Sequence, residues 1–224
     1  MFEIVDDYGK NGIHIKNCLS KEECEQILKF IELNKNNPEY DLFERNRSYI
    51  DVYAMKNFLD SYTGIFPEDN LFNLLKERTE KAAKIYLNQN KLDSSNYNFS
   101  QPESDIVSKE EGACKNFSIK SWKIGAGLRD HVDTYSLFDK TIVSCVFSII
   151  VYLNDDYEGG ELVLMPSAVM LPEGGTAEHK RSSDITIRPS AGSMVIIDAE
   201  IVHRVEPPTS GKRMTTDRPI YLLQ

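Results

Sequence analysis

Ile142 to Leu153 is a long apolar run broken only by Ser144 and Ser148. It is much too short to cross a membrane as a helix. Its Ile and Val content marks a strand, and its lack of alternation marks a buried one, as in a barrel. A buried strand needs partners, and the chain around it supplies them. From Asn116 onward the pattern stays β. Phe117, Ile119 and Trp122 lead into Gly125-Ala126-Gly127, and further strands are expected at Glu161–Met165, Asp184–Arg188, Ser193–Asp198, Val202–Glu206 and Arg213–Leu223. Pro166–Ser183, with Glu173-Gly174-Gly175, reads as a surface loop in which His179 is solvated. The fold class that follows is mainly β with packing helices.

Chemistry enters through His131-Val132-Asp133. Side chains two apart on a strand share a face, so one imidazole and one carboxylate reach the same ion. His203, far downstream, would complete a set of two His and one carboxylate, which binds a metal on one side and leaves the other open. Arg213 offers a planar, permanently charged fork suited to a carboxylate. Thr215 shares the face of Arg213 at period two, whereas Lys212 points the other way.

Three further segments accompany these residues: Val151-Tyr152-Leu153-Asn154-Asp155-Asp156-Tyr157-Glu158-Gly159-Gly160-Glu161-Leu162, Pro189–Asp198, and His203-Arg204-Val205-Glu206-Pro207 followed by Gly211-Lys212-Arg213. Together they resemble the Fe(II)/2-oxoglutarate-dependent dioxygenase superfamily, in its prolyl 4-hydroxylase-like and PKHD-type branch. The likeness is close in the C-terminal half and only an outline in the N-terminal half. It implies a double-stranded β-helix, or jelly roll, with N-terminal helices backing one sheet. It implies a single domain over 1–224, with 1–115 as helical and loop support and 116–224 as the β-helix core. The cofactor set it implies is Fe(II), 2-oxoglutarate as cosubstrate and O₂, with ascorbate as an optional reductant. His131, Asp133 and His203 would hold the metal, while Arg213, Tyr152 and Thr215 would bind 2-oxoglutarate. The reaction would hydroxylate a substrate C–H, most readily on a protein side chain such as proline, and release succinate and CO₂. Three positions depart from the prolyl hydroxylase pattern. Trp122 stands where a Tyr is frequent, Leu128 replaces a substrate-contacting Tyr, and Cys145 replaces a substrate-contacting Arg. A free small molecule is therefore a second substrate class. A non-enzymatic cupin- or lectin-like metal module is the alternative from another class, but it would have no use for Arg213, Tyr152 and Thr215 around an open metal face.

The N-terminal half reads as support. Phe2 to Ile15 forms a short strand pair about Gly9-Lys10-Asn11-Gly12, with His14 facing solvent. Ser20 and Glu23 make a capping box ahead of a helix striped by Cys24, Ile27, Leu28 and Ile31. A second helix follows Pro67-Glu68-Asp69, with Leu71, Leu74, Leu75, Ala82, Ile85 and Tyr86 inward and a Glu77–Lys81 pair on the wet side. Residues 39–66, with Arg45, Arg47 and several aromatics, either cover the core or line a substrate groove. Residues 93–115 form a polar loop or a lid. The net charge of −9 disfavours nucleic acid as a partner, since phosphate binding needs a basic patch. Cys18, Cys24, Cys114 and Cys145 lack metal-type spacing and read as reduced thiols. With no leader segment and no membrane-length apolar run, a soluble cytoplasmic protein is expected, acting on a peptide or small-molecule substrate.

Overall fold

The computed structural model describes residues 1–34, 62–65, 70–93, 97–98, 117–133, 135–138, 141–171, 176–177 and 180–222. In chain order its elements are β1 (Glu3–Asp7), β2 (Gly12–Lys16), α1 (Lys21–Asn34), β3 (Tyr62–Ile65), α2 (Asn70–Gln89), β4 (Tyr97–Asn98), β5 (Ser118–Trp122) and β6 (Leu128–His131). There follow β7 (Tyr135–Phe138), β8 (Thr141–Tyr152), β9 (Glu158–Gly159), β10 (Leu162–Leu164), β11 (Val169–Met170) and β12 (Thr176–Ala177). The last are β13 (Ile185–Ile187), β14 (Met194–Asp198), β15 (His203–Val205), β16 (Pro208–Ser210) and β17 (Arg213–Leu222).

The apolar run is β8, and it lies at the middle of the larger sheet, ordered β1-β2-β14-β8-β17-β5-β3. A second sheet, β13-β10-β15-β6, faces it. Every pairing in the two sheets is antiparallel. The uniform hydrophobicity of β8 follows from its place. Phe147, Ile149 and Val151 point outward into a core with Cys24, Ile27 and Ile31 of α1 and Leu75, Ala82 and Tyr86 of α2. Ile150 and Tyr152 point inward against Leu162, Leu164, Ile187 and Val205. Both faces are dry, so alternation gives way to a continuous apolar run. This is the mainly β jelly roll with helices on one sheet that the family resemblance implies.

Local chemistry sets the helix starts and the sheet edge. Ser20 N–H donates to Glu23 Oε2 at 2.7 Å and Glu23 N–H donates to Ser20 Oγ at 3.1 Å, so the capping box is present. Glu23 Oε1 also pairs with Arg78 of α2 at 2.8 Å, tying the helices together. Lys81 sits 4.5 Å from the ring centroid of Phe2. β2 corrects one expectation: His14 is buried, 4 % exposed, and is not solvated. Its strand is internal, between β1 and β14, and His14 is the register partner of Val195 on the interior face. Alternation alone could not reveal that both faces of β2 are covered. The Pro166–Ser183 loop holds the two-residue ladder β11–β12, too short to leave a periodic signature. The 39–61 segment with Arg45 and Arg47, most of 93–115, Cys114 and His179 lie outside the described residues.

Candidate metal centre and anion anchor

Strands β6 and β15 are antiparallel neighbours, with His131 and His203 directly opposed. Opposed residues share a face, and the two rings lie 4.1 Å apart between centroids. Asp133 follows the end of β6 rather than continuing it. Its N–H donates to Ala199 O at 2.9 Å, which turns the carboxylate toward both rings. Asp133 Oδ1 is 3.7 Å from His131 Nε2, and Oδ2 is 3.8 Å from His203 Nε2. One ligand atom from each residue lies within 4.8 Å of the others. Metal bonds to such atoms are about 2.0–2.2 Å, so two of them span up to roughly 4.4 Å. One ion can therefore bridge the set with little contraction.

The imidazoles are oriented for this. His131 Nδ1 lies 2.7 Å from Arg129 O, and His203 Nδ1 lies 3.0 Å from Ile201 O. A carbonyl only accepts, so each Nδ1 carries a proton, which leaves each Nε2 as the nitrogen turned toward Asp133. Burial, reinforced by His203, pushes His131 down to about 3, which keeps the ring neutral. Burial raises the Asp133 carboxyl, yet the two imidazoles and the Ser148 hydroxyl outweigh it and hold it below the usual carboxylate range. A neutral His131 and an ionised Asp133 are the protonation states a divalent ion requires of them.

On the same interior, Arg213 opens β17 opposite Trp122 of β5. It is only 1 % exposed. Its Nη2 donates to Tyr152 Oη at 3.2 Å, and the guanidinium lies 5.1 and 5.0 Å from the rings of Trp122 and Tyr152. Trp122 Nε1 in turn donates to Thr215 Oγ1 at 3.2 Å. Nε and Nη1 of Arg213 have no hydrogen-bond partner among the described residues, and no described carboxylate is paired with it. An uncompensated buried cation is costly, and a bound anion is what removes the cost. Lys212, by contrast, is exposed, and its carbonyl accepts from Asn154 Nδ2 at 2.6 Å.

Two residues of this anchor escaped the sequence reading. Tyr157 is buried with its hydroxyl beside the guanidinium, and burial pushes its phenol up to about 12, so it stays neutral. Gly160, at φ +72°, leaves room for the anchor: a Cβ there would fall 3.2 Å from Arg213 Cδ and 3.1 Å from the Tyr157 ring. Both sit in a stretch legible only as a turn, where no periodicity tells a residue's direction. Of the departing positions, Leu128 packs against the interior cluster, and the Cys145 thiol donates to Phe147 O at 3.4 Å.

Residues 117–218 match the family described as the 2OG-Fe(II) oxygenase superfamily. A PKHD-type hydroxylase of Colwellia psychrerythraea is 30% identical over 99 residues, which are 43% of this chain and 38% of that protein. The chain thus spans well under half the length of that relative. Among solved structures, a Pseudomonas putida prolyl-4-hydroxylase superposes with a TM-score of 0.58 at 12% identity, over 96% of this chain and 93% of the other. A viral collagen prolyl hydroxylase from Paramecium Bursaria Chlorella virus-1 gives 0.56 at 17%, over 96% and 98%. A Trichoplax adhaerens prolyl hydroxylase, solved with a hypoxia inducible factor peptide fragment, gives 0.58 at 10%, over 96% and 84%. At these identities the structures speak for the fold.

Proposed function

Because residues 117–218 match the 2OG-Fe(II) oxygenase superfamily, we propose that the chain is a 2-oxoglutarate-dependent hydroxylase. In the overall reaction one atom of O₂ enters a substrate C–H bond and the other enters succinate, with loss of CO₂. The four electrons that O₂ accepts come equally from the C–H bond and from 2-oxoglutarate. The observation that carries this reading is the shared interior of the His131–Asp133–His203 cluster and a buried Arg213 with two guanidinium nitrogens, Nε and Nη1, unmet.

Each residue has a role suited to its surroundings. His131, Asp133 and His203 would hold Fe(II), which when bound supplies the site at which O₂ and the cosubstrate react. Arg213 would take the far carboxylate of 2-oxoglutarate in a charge-assisted fork, with the Tyr152 and Thr215 hydroxyls alongside. Tyr152, Ile150, Leu162 and Leu164 keep the wall between them dry, which strengthens each of these contacts. A structural metal module of cupin or lectin type leaves the buried cation of Arg213 unexplained.

Peptidyl proline is the substrate class that the hydroxylase relatives support. A free small molecule is the second reading, favoured by Leu128 and Cys145, which put an apolar side chain and a thiol committed to a backbone carbonyl where a prolyl substrate would meet polar groups. The core test is spectroscopic. Anaerobic Fe(II) with 2-oxoglutarate should produce the weak visible charge-transfer band of a chelate in the wild type and none in His131→Ala. Succinate should form in air from the wild type and not from His131→Ala, Asp133→Ala or His203→Ala. Equal succinate from any of the three would sink the assignment.

A further inference from the structure

Lys120 and Asp217 form an ion pair inside the jelly roll, on the wall that also carries Arg213 and Thr215. Register fixes their direction. Lys120 is two residues from Trp122 on β5, and Asp217 is two from Thr215 on β17, so each shares the inward face of its neighbour. Thr215 stands between Lys120 and Tyr152, and Asp217 is opposite Ile150, both members of the interior cluster. The charge of Lys120 acts on His131, Asp133 and Tyr152. The pair therefore belongs to the interior shared by the metal ligands and the anchor.

Its two ends differ. Lys120 is 29% exposed and Asp217 13%. Asp217 Oδ2 meets Lys120, while Oδ1 is buried and has no hydrogen-bond partner among the described residues. A buried ion pair adds little to stability over a well-packed apolar pair, and an unmet carboxylate oxygen subtracts from it. What fits is a ligand with a donor for Oδ1 and an anion for the exposed ammonium, close together. A free α-amino acid carries both on one carbon. A prolyl residue inside a peptide has neither, because its nitrogen lacks a proton and its carboxyl is an amide.

We infer that Lys120 and Asp217 form a charge-paired subsite for the carboxylate and ammonium of a free α-amino acid, whose side chain is thereby held toward His131, Asp133 and His203. This rests on the oxygenase reading and chooses between its two substrate classes. Lys120 donates to the carboxylate, Asp217 Oδ1 accepts from the ammonium, and the pair's own contact persists beneath.

The test is succinate production by the wild-type protein with Fe(II), 2-oxoglutarate, O₂ and ascorbate. Each free L-amino acid is compared with its N-acetyl methylamide and with capped proline-rich peptides. At least one free amino acid should raise succinate above the substrate-free rate and gain one oxygen atom by mass spectrometry, and its capped form should do neither. Lys120→Met should raise the KM for that amino acid by about tenfold to a hundredfold, as expected for a lost charge-assisted hydrogen bond, and move the KM for 2-oxoglutarate far less. Lys120→Arg should recover most of the loss. If Lys120→Met does not fold, the wild-type comparison of free and capped substrates still decides. Stimulation by capped forms as strong as by free ones, or by none of the compounds while substrate-free succinate still forms, overturns this inference alone. Absence of succinate in every arm overturns the oxygenase reading as well.

Discussion

Arg213 shows at the scale of one residue why a buried charge signals a ligand. Its guanidinium is closed off from solvent, is flanked by two aromatic rings and donates to one hydroxyl, which leaves most of its donor capacity unmet. Removing it should cost 2-oxoglutarate binding about 2–5 kcal/mol, a rise in KM of roughly thirtyfold or more. Steady-state succinate kinetics of Arg213→Ala would measure this, and exposed Lys212→Ala should move the same constant less than about twofold. If Lys212→Ala were the damaging change, the assignment of the anchor would be wrong. His14 makes a different point. Burial, chiefly, and then Lys16 hold its imidazole below the ordinary range against the pull of Asp6, so it is neutral when folded. The unfolded chain binds a proton there below about pH 6.5 and the folded chain resists it. Stability linked to His14 is thus present above that pH and is lost as pH falls below it. Melting temperatures between pH 7 and pH 5 should fall less steeply for His14→Gln than for wild type, and parallel curves would refute this.

At the scale of elements, the readable parts are those where one local rule acts without competition. Ser20 and Glu23 are spaced for a reciprocal cap, and the cap forms. Because Glu23 also holds Arg78, Glu23→Ala should destabilise the fold more than Ser20→Ala, which should cost about 1 kcal/mol. Denaturant midpoints would rank them, and the reverse order would mean the Arg78 contact contributes nothing. The β8 run was legible because two dry faces leave a plain apolar signature. Alternation places His14 in solvent because a short alternating strand looks alike at an edge and in the interior, where β2 in fact lies. His131-x-Asp133 was found by strand periodicity, although Asp133 lies past the end of β6 and is aimed by its backbone bond to Ala199. Tyr157 and Gly160 were illegible because a turn has no period. Gly160→Ala tests that turn: a left-handed non-glycine residue costs about 1–2 kcal/mol, and here its methyl also crowds Arg213. The KM for 2-oxoglutarate should rise along with the loss of stability.

For the whole molecule, the candidate site is a seam. His131 and His203 come from the smaller sheet, Arg213, Thr215 and Tyr152 from the larger one, and Asp133 from a connection beyond β6. A ligand set that bridges two facing sheets stabilises the packing of one on the other, because the unfolded chain has no such arrangement to offer. Ligand binding to the folded state alone adds RT ln(1 + [L]/Kd), about 2.7 kcal/mol at a hundredfold excess over Kd. Mn(II), a redox-quiet stand-in for Fe(II), and 2-oxoglutarate should therefore each raise the melting temperature, and the two together should raise it by more than the separate shifts combined. That excess is the signature of a cosubstrate chelating the metal while Arg213 holds its other end. In Arg213→Ala the Mn(II) shift should persist and the excess should shrink, whereas in His203→Ala both should go. A wild-type protein whose Mn(II) and 2-oxoglutarate shifts merely add would place the anion of Arg213 apart from the metal, and would separate the two halves of the site.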